Sequence, residues 1–168
     1  MAVVGIFGEN GKGKTLLLTY LLHFFYRQGR KIYANCRLNF PHEEITTKTL
    51  TKFENIQNCV VGFDEFEQIF DSHAGLSKAK RDSFYVMLEQ RKREIDFFYT
   101  SQFIFMAHKT IREQTSDYIE CNINNPIGKN SFGYHVVKAN GSEFEFILQN
   151  PIQTFKLYDT RERMIGKV

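Results

Sequence analysis

The segment GENGKGKT, Gly8 to Thr15, constrains this chain more than any other. It fits G-x-x-x-x-G-K-[ST] and directly follows the apolar run AVVGIF at Ala2 to Phe7. A strand that turns through glycines into a helix lets successive backbone N–H groups point inward, and the helix starting there directs its positive end at the same spot. The loop is therefore a phosphate cradle built from Gly8, Glu9, Asn10, Gly11, Lys12, Gly13, Lys14 and Thr15. Within it, Lys14 reaches the β- and γ-phosphates of a nucleoside triphosphate such as ATP, and Thr15 offers its hydroxyl to Mg²⁺. An ordinary glycine-rich strand-to-helix turn has no need of Lys then Thr straight after its last glycine. Lys12 stays open between a solvated filler at a variable position and an additional phosphate contact.

A second signal of the same kind follows. CVVGFDEF, Cys59 to Phe66, is a short apolar run ending in two carboxylates, as expected of a buried strand whose C-terminal end opens on a ligand site. Asp64 is placed to hold the Mg²⁺ shell, directly or through water, and Glu65 to orient and deprotonate an attacking water. Two acids also suit the first turn of a following helix. With a phosphate cradle upstream, the catalytic reading takes precedence. IDFFYTSQ, Ile95 to Gln102, is again apolar and again ends in polar residues. Gln102 is either an amide presented to the γ-phosphate or the attacking water, or a simple strand-end cap.

The remaining pattern alternates strands and helices. Lys14 to Gln28 reads as a helix, apolar nearly all round and hence buried, with Gly29 as its stop. Lys31 to Asn35 reads as a strand, and the polar stretch through Pro41 and Thr51 as a loop with a short helix. Asp71 to Asp82 reads as an exposed basic loop leading into a helix from about Lys78 to Arg93. His108 to Thr115 reads as a short helix, Asp117 to Ile123 as a strand, and Asn124 to Gly133 as a loop. Tyr134 to Leu148 is then a hairpin around Asn140-Gly141. Thr154 to Asp159 reads as a last strand before a charged tail.

Length and composition exclude several alternatives. At 168 residues the chain is one domain, 1–168, large enough to bury a core. A net charge of +3 permits a nucleic-acid partner without amounting to a dedicated DNA-binding footprint. Cys36, Cys59 and Cys121 are odd in number and widely spaced, so neither a disulfide framework nor a zinc site follows; they read as reduced, buried thiols of a cytoplasmic protein. The five histidines never pair at ligand spacing. The 17 Phe and 8 Tyr are assigned to a core and an inter-subunit surface, since no pattern of a nucleic-acid stacking platform accompanies them. The longest apolar run, Leu16 to Tyr26, is far too short to span a bilayer, and the first residues read as a strand rather than a signal peptide.

Taken together, GENGKGKT, VVGFDEF, the helix end QRKREI, FFYTSQ, HKTIREQTSDYI and finally LYDTRE resemble the FtsK–HerA branch of P-loop ATPases, especially its Zot-like and viral genome-packaging members. The resemblance runs from Val3 to about Glu162. It implies an α/β P-loop NTPase fold of the RecA/ASCE-like type: a mostly parallel sheet flanked by helices, core about 1–123, with a C-terminal β-hairpin extension about 132–160. It also implies that the Gln102 strand lies between the cradle strand and the Asp64 strand, and that Glu65 is the catalytic carboxylate.

The resemblance further implies a ring, a hexamer, with ATP sites between subunits and a positive group supplied in trans. Arginine suits that task because its planar fork spans developing phosphoryl charge. Arg91 and Arg93 are the candidates, against a reading of QRKRE as a solvated charged face, and Arg112 is a third. DNA, duplex by kinship, would be gripped through phosphate contacts by pore loops at Asp71 to Arg81 and Asn124 to Gly133. A capsid or membrane component is a further expected partner. The expected activity is ATP hydrolysis coupled to DNA translocation, in host cytoplasm if the protein is viral. The alternatives are a P-loop small-molecule kinase, which needs an acceptor pocket and an Arg-bearing lid, and a non-hydrolysing nucleotide-dependent assembly switch.

Overall fold

A computed structural model describes residues 1–45, 56–69, 89–107, 109–123 and 131–159. The strands are β1 (Val3–Phe7), β2 (Lys31–Ala34), β3 (Glu43–Glu44), β4 (Cys59–Phe63), β5 (Ile95–Ser101), β6 (Asp117–Ile123), β7 (Ser131–Val137) and β8 (Glu143–Gln149). The helices are α1 (Lys14–Arg27), α2 (Phe66–Ile69), α3 (Lys109–Gln114) and α4 (Ile152–Phe155), with a 3₁₀ turn at Ile104–Met106.

All eight strands form one sheet in the order β3-β2-β4-β5-β1-β6-β7-β8. Pairing is parallel from β3 through β6 and antiparallel from β6 to β8. The strand bearing Gln102 at its end therefore does lie between the cradle strand and the Asp64 strand. Strands this apolar belong in the middle of a sheet covered on both faces. Alternation sorts their side chains. Val3 and Phe7 join Cys59, Val61, Phe63, Phe97 and Tyr99 on one face, whereas Val4 and Ile6 join Val60, Phe98 and the α1 leucines Leu17, Leu18 and Leu22 on the other. Gly62 permits the close approach of α1, because a Cβ there would lie 2.6 Å from Leu22 Cδ1.

Two expectations change. α1 is buried on its sheet side only: Tyr20 and Phe24 are 41% and 49% exposed, because the described elements cover the helix on one flank. Thr154 to Asp159 is not a strand. Pro151 sets φ at −74°, a helical turn follows over Ile152–Phe155, and only an isolated bridge between Leu38 and Tyr158 remains of the expected pairing. The hairpin around Asn140-Gly141 is present as β7 and β8, and its first strand starts at Ser131 rather than Tyr134. The three cysteines are free and buried, and burial pushes the Cys59 thiol up to about 11 and the Cys121 thiol up to about 12. Among the described residues no helix is long and apolar enough to cross a membrane. Residues 71–81, 78–88 and 124–130, which carry most of the expected pore loops and basic helix, lie outside the described residues.

Candidate nucleotide site

The C-terminal ends of β1, β4 and β5 come together on one edge of the sheet. Gly13 caps α1 with φ 90°, a left-handed backbone suited to glycine, and a Cβ there would lie 2.5 Å from the Phe132 ring. Its carbonyl accepts a hydrogen bond from the Tyr134 hydroxyl at 3.1 Å, so β7 buttresses the loop from outside. Lys14 is 8% exposed, and its ammonium donates to the carbonyls of Gly8 at 2.7 Å and Glu9 at 3.1 Å. A buried ammonium hydrogen-bonded to neutral carbonyl oxygens, its charge felt through space by Asp64 and Glu65, suits an anionic ligand in the loop.

The carboxylates sit opposite. The Thr15 hydroxyl donates to Asp64 Oδ2 at 2.9 Å, and the Thr100 hydroxyl donates to Asp64 Oδ1 at 2.6 Å. Asp64 is 5% exposed, and burial raises its pKa against the lowering effect of Thr100, Thr15 and Lys14. Glu65 is likewise raised, first by burial and then by the charges of Asp64 and Glu67. Its backbone is left-handed at φ 49°, a strained conformation for a residue with a Cβ. Two neighbours hold that turn. Thr100 Oγ1 accepts from the Glu65 N–H at 2.8 Å, while the Asn35 side chain donates to the Asp64 carbonyl at 2.8 Å and accepts from the Asp64 N–H at 2.7 Å. The Gln68 amide donates to the Glu65 carboxylate.

Gln102 lies at the end of β5, where its side-chain amide donates to Asn10 Oδ1 of the cradle at 3.2 Å and its backbone N–H donates to Glu67 at 3.3 Å. The structure thus brings Lys14, Thr15, Asp64, Glu65 and Gln102 to one edge. It does not bring Arg91 or Arg93 there. Both lie in the turn before β5, at the far end of that seven-residue strand, roughly 20 Å away by strand rise. Arg93 instead pairs with Glu89 at 2.7 Å. Arg112, in α3, precedes β6 and shares that distal edge. An arginine at those positions does not reach the cradle of its own chain.

Sequence reasoning missed Asn35, Thr100, Gln68 and Glu67. The available signal was polarity at strand ends: Asn35 follows KIYA and Thr100 precedes Ser101-Gln102. Lys12 is half-buried, and its backbone N–H donates to the Glu9 carbonyl at 3.3 Å. The residues fit Mg²⁺ in a restricted way. Among the described residues no cluster of three or more His, Cys, Asp or Glu could form a metal cage, but the Thr15 hydroxyl and Asp64 carboxylate meet at the cradle, which is the sparse oxygen set that Mg²⁺ uses when phosphates and water complete its shell. An open cleft of about 650 Å³ runs from this cluster past Arg37 and Gln68 to Phe132, Phe155 and Tyr158.

Sheet order and cradle define the class: this is a P-loop NTPase fold, α/β, with a mostly parallel sheet and an antiparallel C-terminal addition. Within that class the chain is similar to the N-terminal domain of zonular occludens toxin from Neisseria meningitidis, with 21% identity and a TM-score of 0.69 over 95% of this chain and 100% of that one. It is similar as well to the genome packaging NTPase of Sulfolobus turreted icosahedral virus 2 in complex with ATP-gammaS, at 9% identity and TM-score 0.61 over 86% and 96% of the two chains. The pCW3 conjugation coupling protein TcpA aligns at 13% identity and TM-score 0.61, over 92% of this chain and 64% of that one. No protein-family model and no curated protein sequence matches.

Proposed function

We propose that the chain is an ATP-hydrolysing motor of the FtsK–HerA type that translocates DNA as a ring, and that its task is packaging a viral genome. The observation that carries the hydrolytic part is the convergence of a raised-pKa Glu65, held on a strained turn by Thr100, with the Lys14 cradle and the Gln102 amide. The DNA-handling part is supported by likeness to a genome packaging NTPase and a conjugation coupling protein, which carry those words in their names.

In this reading the backbone N–H groups from Gly8 to Thr15 and the Lys14 ammonium bind the triphosphate. Thr15 and Asp64 would hold Mg²⁺, which would supply positive charge to neutralise the phosphates. Glu65 accepts a proton from the attacking water, and its raised pKa brings it closer to a useful base strength at neutral pH. Gln102 leaves Asn10 to donate its amide to the γ-phosphate or the water. Charge developing on the phosphoryl group is met by an arginine of a neighbouring subunit, with Arg91, Arg93 and Arg112 as the candidates.

The deciding experiment is ATP turnover with and without duplex DNA across a range of protein concentrations. Turnover should rise with both DNA and concentration. Activity indifferent to duplex DNA and to Glu65→Gln would sink the proposal.

A further inference from the structure

The cleft has two chemically different parts to its lining, and the phosphate cradle accounts for one of them. Beside it stand three aromatic rings, Phe132 from β7 and Phe155 and Tyr158 from the segment after β8. Phe132 and Phe155 are edge-to-face with centroids 6.0 Å apart, and Phe155 and Tyr158 are tilted by 37° at 6.4 Å. This wall adjoins the cradle, because Phe132 is the ring that a Cβ on Gly13 would meet at 2.5 Å.

The wall is also held in place. The Asn39 N–H donates to the Leu157 carbonyl at 2.7 Å, the Asn39 side chain donates to the Lys156 carbonyl at 2.7 Å, and Leu38 bridges Tyr158. Lys156, Leu157 and Tyr158 are thereby tied to the loop after β2, and Arg37 of that loop lines the same cleft. Phe155 nonetheless stays 36% exposed, so a ring in a preformed apolar wall keeps a face open.

We infer that Phe132, Phe155 and Tyr158 form the subsite for the base of the nucleotide, holding a purine by stacking. The inference rests on the proposed function, since it takes the triphosphate to lie on Gly8–Thr15. A nucleotide anchored there must extend its sugar and base into the cleft, and the aromatic lining is the part that matches a flat, weakly hydrated ring. Stacking reads the face of a base and not its edge, so ATP and GTP should bind alike, with the smaller pyrimidines weaker. It also gives LYDT a purpose, because Tyr158 belongs to it.

The test is competition binding of ATP and of inorganic tripolyphosphate, which has the phosphates and no base, to wild type, Phe155→Ala, Tyr158→Ala and the conservative Tyr158→Phe. Each alanine variant should weaken ATP by about fivefold or more, the loss of one stacked ring. Tripolyphosphate affinity should stay at the wild-type value, and Tyr158→Phe should bind ATP as wild type does. A 2-aminopurine riboside triphosphate should be quenched on binding wild type and less so on Phe155→Ala. ATP affinity unmoved in both alanine variants, or ATP and tripolyphosphate weakened in parallel, would overturn the base subsite while leaving the cradle standing. Tripolyphosphate that fails to compete even on wild type would overturn the cradle, and the subsite with it.

Discussion

Thr100→Val isolates one hydroxyl without opening a cavity, since valine keeps the branched shape. That hydroxyl makes two bonds at the heart of the site: it donates to Asp64 Oδ1 at 2.6 Å and accepts the Glu65 N–H at 2.8 Å. A hydrogen bond to a charged group contributes about 1.5–3 kcal/mol and a neutral one about 0.5–1.5 kcal/mol, so the pair together is expected to cost about 2–4.5 kcal/mol when removed. A native domain has only about 5–15 kcal/mol in hand, which makes this measurable by urea unfolding followed by circular dichroism. The pH dependence supplies a sharper test. Asp64 has a raised pKa in the fold, so its protonation favours the native state: stability from this group is present below its unfolded pKa and is lost as pH rises through the folded one. The variant removes the largest influence lowering that pKa, and the charge-assisted part of the loss exists only while Asp64 is ionised. The stability deficit should therefore grow as pH rises through the folded Asp64 pKa. A deficit below about 0.5 kcal/mol, or one that does not change with pH, would refute the assignment of Thr100 as the tie between the carboxylate and the turn.

Glu65→Gln should retain ATP binding by calorimetry while hydrolysing it about 10²–10⁴-fold more slowly, because the base is lost and the metal pair kept. Turnover in wild type should fall as pH drops through the raised Glu65 pKa, so the midpoint of the acid limb of a kcat profile should lie above 4.5; a limb centred below that value would contradict the burial effect. Mixing Arg93→Ala with Lys14→Ala subunits should restore some ATPase activity at shared interfaces, and no recovery in any ratio would argue against Arg93 acting in trans.

The parts that the sequence displays best are those where one residue type does one job. Lys14, Thr15, Asp64 and Glu65 sit in short motifs whose spacing follows from local backbone geometry, and β4 and β5 announce themselves as apolar runs too short to be helices. The contacts that hold these residues together were harder to see because they join distant segments: Asn35 reaches Asp64, Thr100 reaches both Asp64 and Glu65, and Tyr134 reaches Gly13. Nothing in the neighbours of Asn35 marks its amide as a clamp on another strand's backbone. TFKLYD misled for a different reason. Its alternation fits a strand, but Pro151 starts a helical turn and hydrogen bonds from Asn39 hold the next residues as an irregular wall.

Glu65 stands at φ 49°, a backbone that costs a residue with a Cβ about 1–2 kcal/mol. Under the proposed function, stability and turnover pull in opposite directions at this position. Glycine there would relax the chain and delete the carboxylate, so a screen that selects only for heat resistance should enrich glycine at residue 65 and return proteins that are sturdier and inert. Glu94, at φ 57° in the turn before β5 and away from the cradle, is the control: glycine there should stabilise the fold without the loss of turnover that the proposed function assigns to position 65.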